Sequence, residues 1–258
     1  MSLILKSQNG GVMTLTLNRP EVYNSFNQVM ALALQDAISL AGSDKSVRCI
    51  VITGAGKAFC AGQDLNEVVD PKGPPLQEIV GQHFNPIIWK IRDVEKPFIA
   101  AVNGVAAGAG ANIALACDIA VAKSSASFIQ SFSKIGLIPD SGGTFTLPRL
   151  IGFQRATALM MLGEKVTAPD AEKMGMIYKC IEDGEFDNYI ITLATQLSQM
   201  PTRGLGLTKR ALNASTVNDL YAQLSIEEEL QFAAGNTLDY QEGVKAFLEK
   251  RKPEFKGE

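Results

Sequence analysis

Two stretches of this chain share one design, and that design constrains the fold more than any other feature. They are CIVITGAGKAFCAGQDL, residues 49–65, and FIAAVNGVAAGAGANIALACD, residues 98–118. Each begins as a short β-branched apolar run, crosses a loop of Gly and Ala, and enters a predicted helix. The recurrence of strand, small-residue loop and helix indicates stacked, similar units.

The small residues at these two junctions favour the close approach of a ligand to the main chain. Helix N-termini present free N–H groups and the positive end of the helix dipole. Two such junctions directed at one point would hold a developing oxyanion between two N–H groups. Taken alone, Gly and Ala loops are more often sites of tight packing, and both interpretations stay open at this point.

Nucleotide-binding signatures are incomplete at both junctions. In the first, Val51 stands where a phosphate-binding loop begins with glycine, and Ala58 replaces its Ser or Thr. In the second, Ile113 stands where a dinucleotide-binding pattern has its third glycine. We therefore do not expect either nucleotide site.

The remaining pattern predicts an α/β core followed by a helical C-terminal portion. Asn27 is predicted to cap a helix whose apolar residues fall on one face. Residues 76–94 repeat that amphipathic pattern, and from Gly142 onward the chain is predicted to be helical except for one short strand. Gly10 and Gly11 lie in a hairpin turn between the first two strands. The predicted strands are residues 3–6, 12–17, 48–53, 98–102, 118–122, 127–130 and 177–181.

Composition and charge narrow the class of protein. The chain has 258 residues and a net charge of −3, with 46% hydrophobic and 20% charged residues. These values fit a globular protein outside the membrane and give a nucleic-acid role no electrostatic support. The N-terminus lacks the charged start and apolar core of a signal peptide, so we expect a cytoplasmic protein. The uncharged stretch 98–117 is rich in Ala and Gly, which favours a buried strand, loop and helix over a membrane span.

Cysteine and histidine content does not favour a metal site. The four cysteines form no CxxC pair, and we expect reduced, mostly buried thiols. The single histidine, His83, is predicted to lie in the amphipathic helix as a packing or solvated side chain. We therefore expect neither a Cys/His metal site nor Ser–His–Asp catalysis.

Asp140 allows two interpretations. It lies in a turn before a predicted helix, where an Asp or the following Ser141 commonly caps the helix. Its neighbours Leu137, Ile138 and Phe145 are apolar. Apolar surroundings would raise the pKa of the Asp140 carboxyl and suit it for proton transfer. On the residues alone the cap is favoured.

Several motifs follow one another along essentially the whole chain. They are Asn18-Arg19-Pro20, Phe59-Cys60-Ala61-Gly62-Gln63-Asp64-Leu65, Lys96-Pro97, Val102-Asn103-Gly104, Cys117-Asp118-Ile119, and Gly136-Leu137-Ile138-Pro139 with Gly142-Gly143-Thr144. In this order they resemble the enoyl-CoA hydratase/isomerase (crotonase) superfamily.

Three further stretches refine the resemblance. They are residues 103–111, residues 132–140 and Gly204-Leu205-Gly206-Leu207. Within the family, they make the chain most similar to the 1,2-epoxyphenylacetyl-CoA isomerases of aerobic phenylacetate breakdown.

This resemblance implies a spiral of ββα units over residues 1–195 and a helical trimerisation region over residues 196–258. It implies an acyl-CoA substrate, no separate cofactor and no metal, and a homotrimer or a dimer of trimers. It assigns the oxyanion donors to the backbone N–H groups of Gln63 and Ala109. It places Ala61, Gly62, Asp64 and Leu65 against CoA. It also places the C-terminal residues Lys252 and Phe255 against CoA, either of the same subunit or of a neighbouring one.

Departures from the family pattern refine the expected reaction. The two catalytic glutamates of the hydratases fall on Asn112 and Phe132, neither of which is a general base. Asp140 stands where hydratases have glycine and some isomerases and dehalogenases have aspartate. The resemblance therefore predicts an isomerase with Asp140 as its base, which moves 3-enoyl double bonds and converts 1,2-epoxyphenylacetyl-CoA to oxepin-CoA. A hydratase, a dehalogenase and a non-catalytic acyl-CoA-binding subunit remain as alternatives.

Overall fold

Two sheets form the centre of the fold. A computed structural model describes residues 2–258 of the chain. The larger sheet has the order β1-β2-β3-β5-β7-β10, with an antiparallel β1–β2 hairpin and parallel pairing thereafter, and the smaller has the order β4-β6-β8-β9. Within the described residues the strands are β1 (Ile4–Asn9), β2 (Val12–Leu17), β3 (Cys49–Gly54), β4 (Ala58–Cys60), β5 (Phe98–Val102), β6 (Val105–Ala107), β7 (Ile119–Lys123), β8 (Ser127–Ile129), β9 (Lys165–Thr167) and β10 (Lys179–Ile181).

The helices surround these sheets and make up most of the C-terminal third. A π-helical turn, Ile79–Phe84, joins α3 to α4, and 3₁₀ turns occupy Pro20–Val22 and Ser131–Ile135. Over residues 2–258 the helices are α1 (Gln28–Ser43), α2 (Leu65–Val69), α3 (Leu76–Glu78), α4 (Asn85–Asp93), α5 (Ala109–Ala116), α6 (Gly143–Ile151), α7 (Phe153–Leu162), α8 (Ala168–Lys173), α9 (Phe186–Ser198), α10 (Thr202–Ser215), α11 (Leu220–Gly235) and α12 (Leu238–Leu248).

A ββα unit recurs three times. Strands β3, β5 and β7 enter the larger sheet, and each is followed by a three-residue strand, β4, β6 or β8, that enters the smaller sheet. Helices α2–α4, α5 and α6 follow these pairs in turn. The predicted stacked units and the spiral of ββα units are therefore confirmed.

Helix α1 forms as its sequence pattern predicts. The Asn27 side chain accepts a hydrogen bond from the Met30 N–H at 3.0 Å, which caps the helix as expected; such a cap is typically worth about 1 kcal/mol. The predicted apolar face is buried in the main hydrophobic core, where α1 packs beside α4 and the hairpin. Its buried members are Met30, Ala31, Leu34, Ala37, Ile38 and Ala41.

The uncharged stretch 98–117 is a buried strand, loop and helix, as predicted. All five residues of β5 and all eight residues of α5 are buried. Of the helices in residues 2–258, none is both long and apolar enough to span a membrane.

Three short strands and one helical irregularity differ from the sequence expectations. Strands β4 and β6 lie within stretches predicted as Gly/Ala loops, and β9 lies in a stretch predicted as helix. A strand of three residues is too short to show the alternation of apolar and polar side chains that predicts a strand. Its pairing also depends on partner strands that are distant in the sequence. The amphipathic stretch 76–94 is helical as predicted but contains the π-helical turn 79–84.

The C-terminal helices are attached to the core by partly buried polar contacts. The Lys209 ammonium on α10 donates to Asp118 Oδ2 at 2.9 Å, just before β7. Arg48, just before β3, donates to Thr202 Oγ1 and to the carbonyl of Phe255, both at 2.8 Å. The division at residue 195 and the trimerisation role of residues 196–258 stay predictions.

Candidate active site

The first junction places the Gln63 N–H in an unusual environment. Phe26 donates its N–H to the Gly62 carbonyl at 2.7 Å and accepts the Asp64 N–H at 2.8 Å. This parallel bridge turns the intervening Gln63 N–H away from Phe26, and within residues 2–258 that N–H has no acceptor. Gly62 has φ +93°, a conformation that a side chain disfavours.

The second junction ends at the N-terminus of α5. Gly108, with φ 53° and ψ −128°, precedes the helix, and no side chain caps it. The Ala109 N–H is the first of the helix and, among the described residues, has no acceptor. The free N–H carries the positive end of the α5 dipole.

The two junctions lie side by side. Strands β4 and β6 pair in parallel, so the chains that leave them run in the same direction. A Cβ added to Gly62 would lie 3.0 Å from the Ala107 carbonyl oxygen and 3.4 Å from the Ala109 nitrogen. One added to Gly110 would lie 2.7 Å from Cys60 Sγ. Glycine at these positions therefore permits the contact that brings the two candidate donors together.

Asp140 lies in the loop between the 3₁₀ turn and α6, and it does not cap that helix. Helix α6 has Gly142 at its N-cap without a side-chain hydrogen bond. The Ser141 hydroxyl instead donates to Asp140 Oδ1 at 2.8 Å. Burial raises the pKa of the Asp140 carboxyl, and the Ser141 hydrogen bond offsets part of that rise. This corrects the interpretation of Asp140 or Ser141 as a cap.

The apolar neighbours of Asp140 in the sequence are exposed in the single chain. The Ile138 side chain is 81% exposed, and those of Leu137 and Phe145 are also exposed. The raised pKa of Asp140 agrees with the expected desolvation. Enclosure of the carboxyl by these three side chains stays a prediction.

The positions of the hydratase glutamates both lie beside the second junction. Asn112 is on the first turn of α5, three residues after Ala109, and its Nδ2 donates to the Asp140 carbonyl at 2.8 Å. The Phe132 ring lies near Gly108, since a Cβ added there would be 3.7 Å from Phe132 Cζ. Asp140 is thus one hydrogen bond from the helix whose N-terminus offers the Ala109 N–H.

The candidate CoA residues of the first junction surround Gln63 in sequence. Leu65 is 53% exposed, Ala61 is half-buried and Gly62 is buried. The Asp64 carboxylate is already engaged, because Oδ2 pairs with Arg19 at 2.8 Å and Oδ1 caps α2 through the Asn66 N–H at 3.1 Å. Its side chain has a structural role here, and a CoA contact of Asp64 stays a prediction.

The C-terminal candidates lie near the start of β3, the end opposite to the first junction. The Phe255 carbonyl binds Arg48 at the start of β3, whereas the first junction follows the end of β3 through β4. Lys252 is exposed near the end of the chain. The structure therefore does not bring Lys252 and Phe255 to the Gln63 and Ala109 N–H groups within one chain.

His83 is a packing residue, as predicted. It is 2% exposed, its Nε2 lies 3.9 Å from Glu78 Oε1, and it makes no hydrogen bond to Asp140. It therefore does not pair with Asp140 as a histidine base would.

Sequence reasoning missed Gln130. Its Nε2 donates to Asn112 Oδ1 at 2.8 Å, and the residue is buried between β8 and the 3₁₀ turn. The sequence signal was a glutamine directly after an apolar strand. A glutamine there is expected to be buried, and a buried side-chain amide requires a hydrogen-bond partner.

Comparison with known proteins identifies the family of this chain. The enoyl-CoA hydratase/isomerase family model matches residues 7–258. The 1,2-epoxyphenylacetyl-CoA isomerase of Escherichia coli (strain K12) is 48% identical over 100% of this chain and 99% of its own. The 2,3-dehydroadipyl-CoA hydratase of the same organism is 35% identical over 100% of both chains.

Solved structures agree as well. The crystal structure of an enoyl-CoA hydratase from Bacillus anthracis superposes with a TM-score of 0.93 at 32% identity and covers 100% of both chains. A family match over nearly the whole length, together with the ββα spiral, identifies the family. The chain belongs to the enoyl-CoA hydratase/isomerase (crotonase) family of enzymes.

Proposed function

We propose that this enzyme is an acyl-CoA isomerase with one carboxylate base. The observation that carries this proposal is the position of Asp140, a desolvated carboxylate one hydrogen bond from the first turn of α5, where both hydratase glutamates are absent. The 48% identity to a relative named as an isomerase supports the same reaction class.

The thioester oxygen binds between the Gln63 and Ala109 N–H groups in this proposal. Removal of a proton next to the thioester places negative charge on that oxygen. Two fixed N–H donors then stabilise the enolate, and one such donor is typically worth about 3 kcal/mol in a transition state. The free N–H groups and the α5 dipole support this assignment.

Asp140 takes the proton from one carbon of the acyl chain and returns it to another. One carboxylate suffices, because an isomerisation has no net proton change. Its raised pKa brings it closer to neutrality, where a base transfers protons in both directions most effectively. A β,γ double bond moves in this way to the α,β position, with no atom gained or lost.

Hydration requires a second group that this site lacks. One base must activate water while another group handles the α-proton. Asn112 is an amide and Phe132 is apolar, so neither supplies it. We therefore propose an isomerase rather than a hydratase, although relatives of both kinds are similar to this chain.

The proposed ring substrate is 1,2-epoxyphenylacetyl-CoA. The 48% identical relative is named as an isomerase of this compound. Its conversion to oxepin-CoA is also an isomerisation without loss or gain of atoms. CoA would contact Ala61, Gly62, Asp64 and Leu65, and Lys252 and Phe255 would come from a neighbouring subunit of a trimer or a dimer of trimers. The exposed apolar side chains of α11 and α12, such as Tyr221, Phe232 and Phe247, suit such an assembly.

The test is turnover of the purified enzyme on 3-enoyl-CoA and 2-enoyl-CoA, with ultraviolet absorbance and mass recorded. We expect conversion of the 3-enoyl to the 2-enoyl thioester without a gain of water mass, and conversion of the ring epoxide to its isomer. A gain of water mass would assign a hydratase. Binding of all three thioesters without turnover would assign a non-catalytic subunit instead.

A further inference from the structure

Two buried side-chain amides connect β8 to the Asp140 loop. Gln130 Nε2 donates to Asn112 Oδ1 at 2.8 Å, and Asn112 Nδ2 donates to the Asp140 carbonyl oxygen at 2.8 Å. Gln130 is 4% exposed and Asn112 is 1% exposed. The connection therefore lies inside the protein, where such hydrogen bonds are not weakened by competing water.

The direction of these hydrogen bonds follows from the Asp140 carbonyl. A main-chain carbonyl oxygen can only accept, so the Asn112 amide presents Nδ2 to it and Oδ1 to Gln130. The Gln130 amide presents its own donor to that Oδ1, which an apolar side chain at this position could not do. Gln130 therefore supplies the donor that the buried Asn112 Oδ1 requires while Asn112 holds the Asp140 carbonyl.

Gln130 is the hydrogen-bond donor of the buried Asn112 Oδ1. The two residues are 18 positions apart in the sequence, and Gln130 lies directly after β8 whereas Asn112 lies on α5. An apolar side chain in place of Gln130 would leave Asn112 Oδ1 buried without that donor. The pair therefore connects β8 to the helix that holds the Asp140 carbonyl.

We propose that Gln130 is a positioning residue of this enzyme, which acts through Asn112 to hold the Asp140 main chain beside the N-terminus of α5. The inference rests on the proposed isomerase function. It assigns Asn112 a role that differs from the hydratase glutamate at the same position. Asn112 holds the loop that carries the base instead of serving as a base.

The first test is Gln130→Met, which keeps an unbranched side chain and removes both amide atoms. We expect kcat on 3-enoyl-CoA to fall about tenfold, the effect of one lost hydrogen bond in positioning the base. KM should stay unchanged, because Gln130 touches no proposed CoA contact. The melting temperature should fall modestly, because the buried Asn112 Oδ1 loses its donor. A wild-type kcat, or a raised KM with wild-type kcat, would overturn the proposal.

The second test is the double variant with Asn112→Leu. If Gln130 acts only through Asn112, then Gln130→Met should cause no further loss of kcat in the Asn112→Leu background. Losses that simply multiply would show that Gln130 acts by another route and would overturn the inference.

A matched control and a reference variant complete the design. Ser127 is also buried on β8 and its Oγ also lacks a partner within residues 2–258, so Ser127→Ala should leave kcat unchanged. A fall of kcat in Ser127→Ala equal to that in Gln130→Met would mean a general effect of β8 and would overturn the proposal. Asp140→Asn separates the two proposals. Wild-type turnover in Asp140→Asn would contradict the role of Asp140 as the base. Loss of turnover in Asp140→Asn, together with a wild-type kcat in Gln130→Met, would contradict only the positioning role of Gln130.

Discussion

At the scale of single residues, the proposed chemistry depends on the pKa of the Asp140 carboxyl. Ser141, directly after Asp140, is buried and has φ 51°, a left-handed conformation that is uncommon for a residue with a side chain. Its hydroxyl donates to Asp140 Oδ1. Burial raises the pKa of Asp140 and this hydrogen bond lowers it, so the two residues together set the pH at which the base is ionised.

Removal of the Ser141 hydroxyl should shift the pH dependence of the reaction. Ser141→Ala removes a donor that stabilises the carboxylate, so the pKa of Asp140 rises further. Because the base works as the carboxylate, the acidic limb of the kcat profile should move to higher pH. The measurement is kcat on 3-enoyl-CoA as a function of pH.

Ser141→Gly is the matched control for this prediction. It removes the same hydroxyl and should shift the acidic limb equally, but it tolerates the positive φ. We expect it to be about 1 kcal/mol more stable than Ser141→Ala. An acidic limb that stays in place in both variants would contradict the link between Ser141 and the base.

At the scale of secondary-structure elements, the site is built from the ends of elements. Two adjacent parallel strands, β4 and β6, deliver two free N–H groups to one place. The Gly/Ala runs predicted the junctions and the helices that follow them, because the change from a β-branched strand to small residues and then to an apolar helix is a local pattern. The three-residue strands that bring the junctions together were not predictable, because their register depends on contacts across the sheet.

A proline at the start of α5 tests the N-terminal donor directly. Ala109 is the first residue of the helix, a position where proline fits and only an unpaired N–H is lost. We expect Ala109→Pro to fold and to lose kcat by about a hundredfold or more, the size typical of one oxyanion donor. The measurements are kcat on 3-enoyl-CoA and the thermal unfolding curve.

Leu220→Pro is the corresponding control on α11. Leu220 is also the first helical residue, is 69% exposed and follows an extended Asp219 that is compatible with proline. It should retain kcat. Full turnover in Ala109→Pro would contradict the proposed donor.

At the scale of the whole molecule, hydrogen bonds hold the C-terminal tail, residues 249–258, against α12 and the start of β3. The buried Asp239 carboxylate accepts the N–H groups of Lys256 at 2.6 Å and Gly257 at 2.7 Å. Arg48 binds the tail at the Phe255 carbonyl. Because the tail lies away from the two oxyanion candidates in one chain, its proposed contact with CoA would belong to an assembled enzyme.

Loss of the Asp239 carboxylate should release the tail without affecting the chemistry. We expect Asp239→Ala to lower the free energy of unfolding by about 2–4 kcal/mol, from two hydrogen bonds to a buried charged group. KM for acyl-CoA should rise, because Lys252 and Phe255 lose their place, and kcat should not change. Denaturant unfolding and steady-state kinetics measure these effects.

Asp239→Asn keeps one carbonyl acceptor and should lose about half as much stability. A wild-type KM in the less stable Asp239→Ala would contradict the CoA role of Lys252 and Phe255. A fall in kcat with unchanged KM would instead connect the tail to the chemistry.

The sequence predicted the larger elements of this fold and part of its site. The hairpin, α1 with its Asn27 cap and the buried stretch 98–117 follow from local patterns, which act over a few residues. The resemblance to the family placed Asp140, but the apolar neighbours named for it are exposed. Gln130 was missed because its partner Asn112 is 18 residues away in the sequence, and only the folded chain brings the two amides together.

The most direct test of the central claim is turnover of Asp140→Asn on 3-enoyl-CoA, with binding of the thioester measured on the same sample. The variant keeps the shape of the side chain and removes the base. We predict normal binding, loss of isomerase turnover, and greater stability than the wild type at neutral pH, because a buried carboxylate with a raised pKa destabilises the folded state there. That gain should disappear as the pH falls below the ordinary pKa of aspartate. Turnover near the wild-type rate would contradict the claim that Asp140 moves the proton.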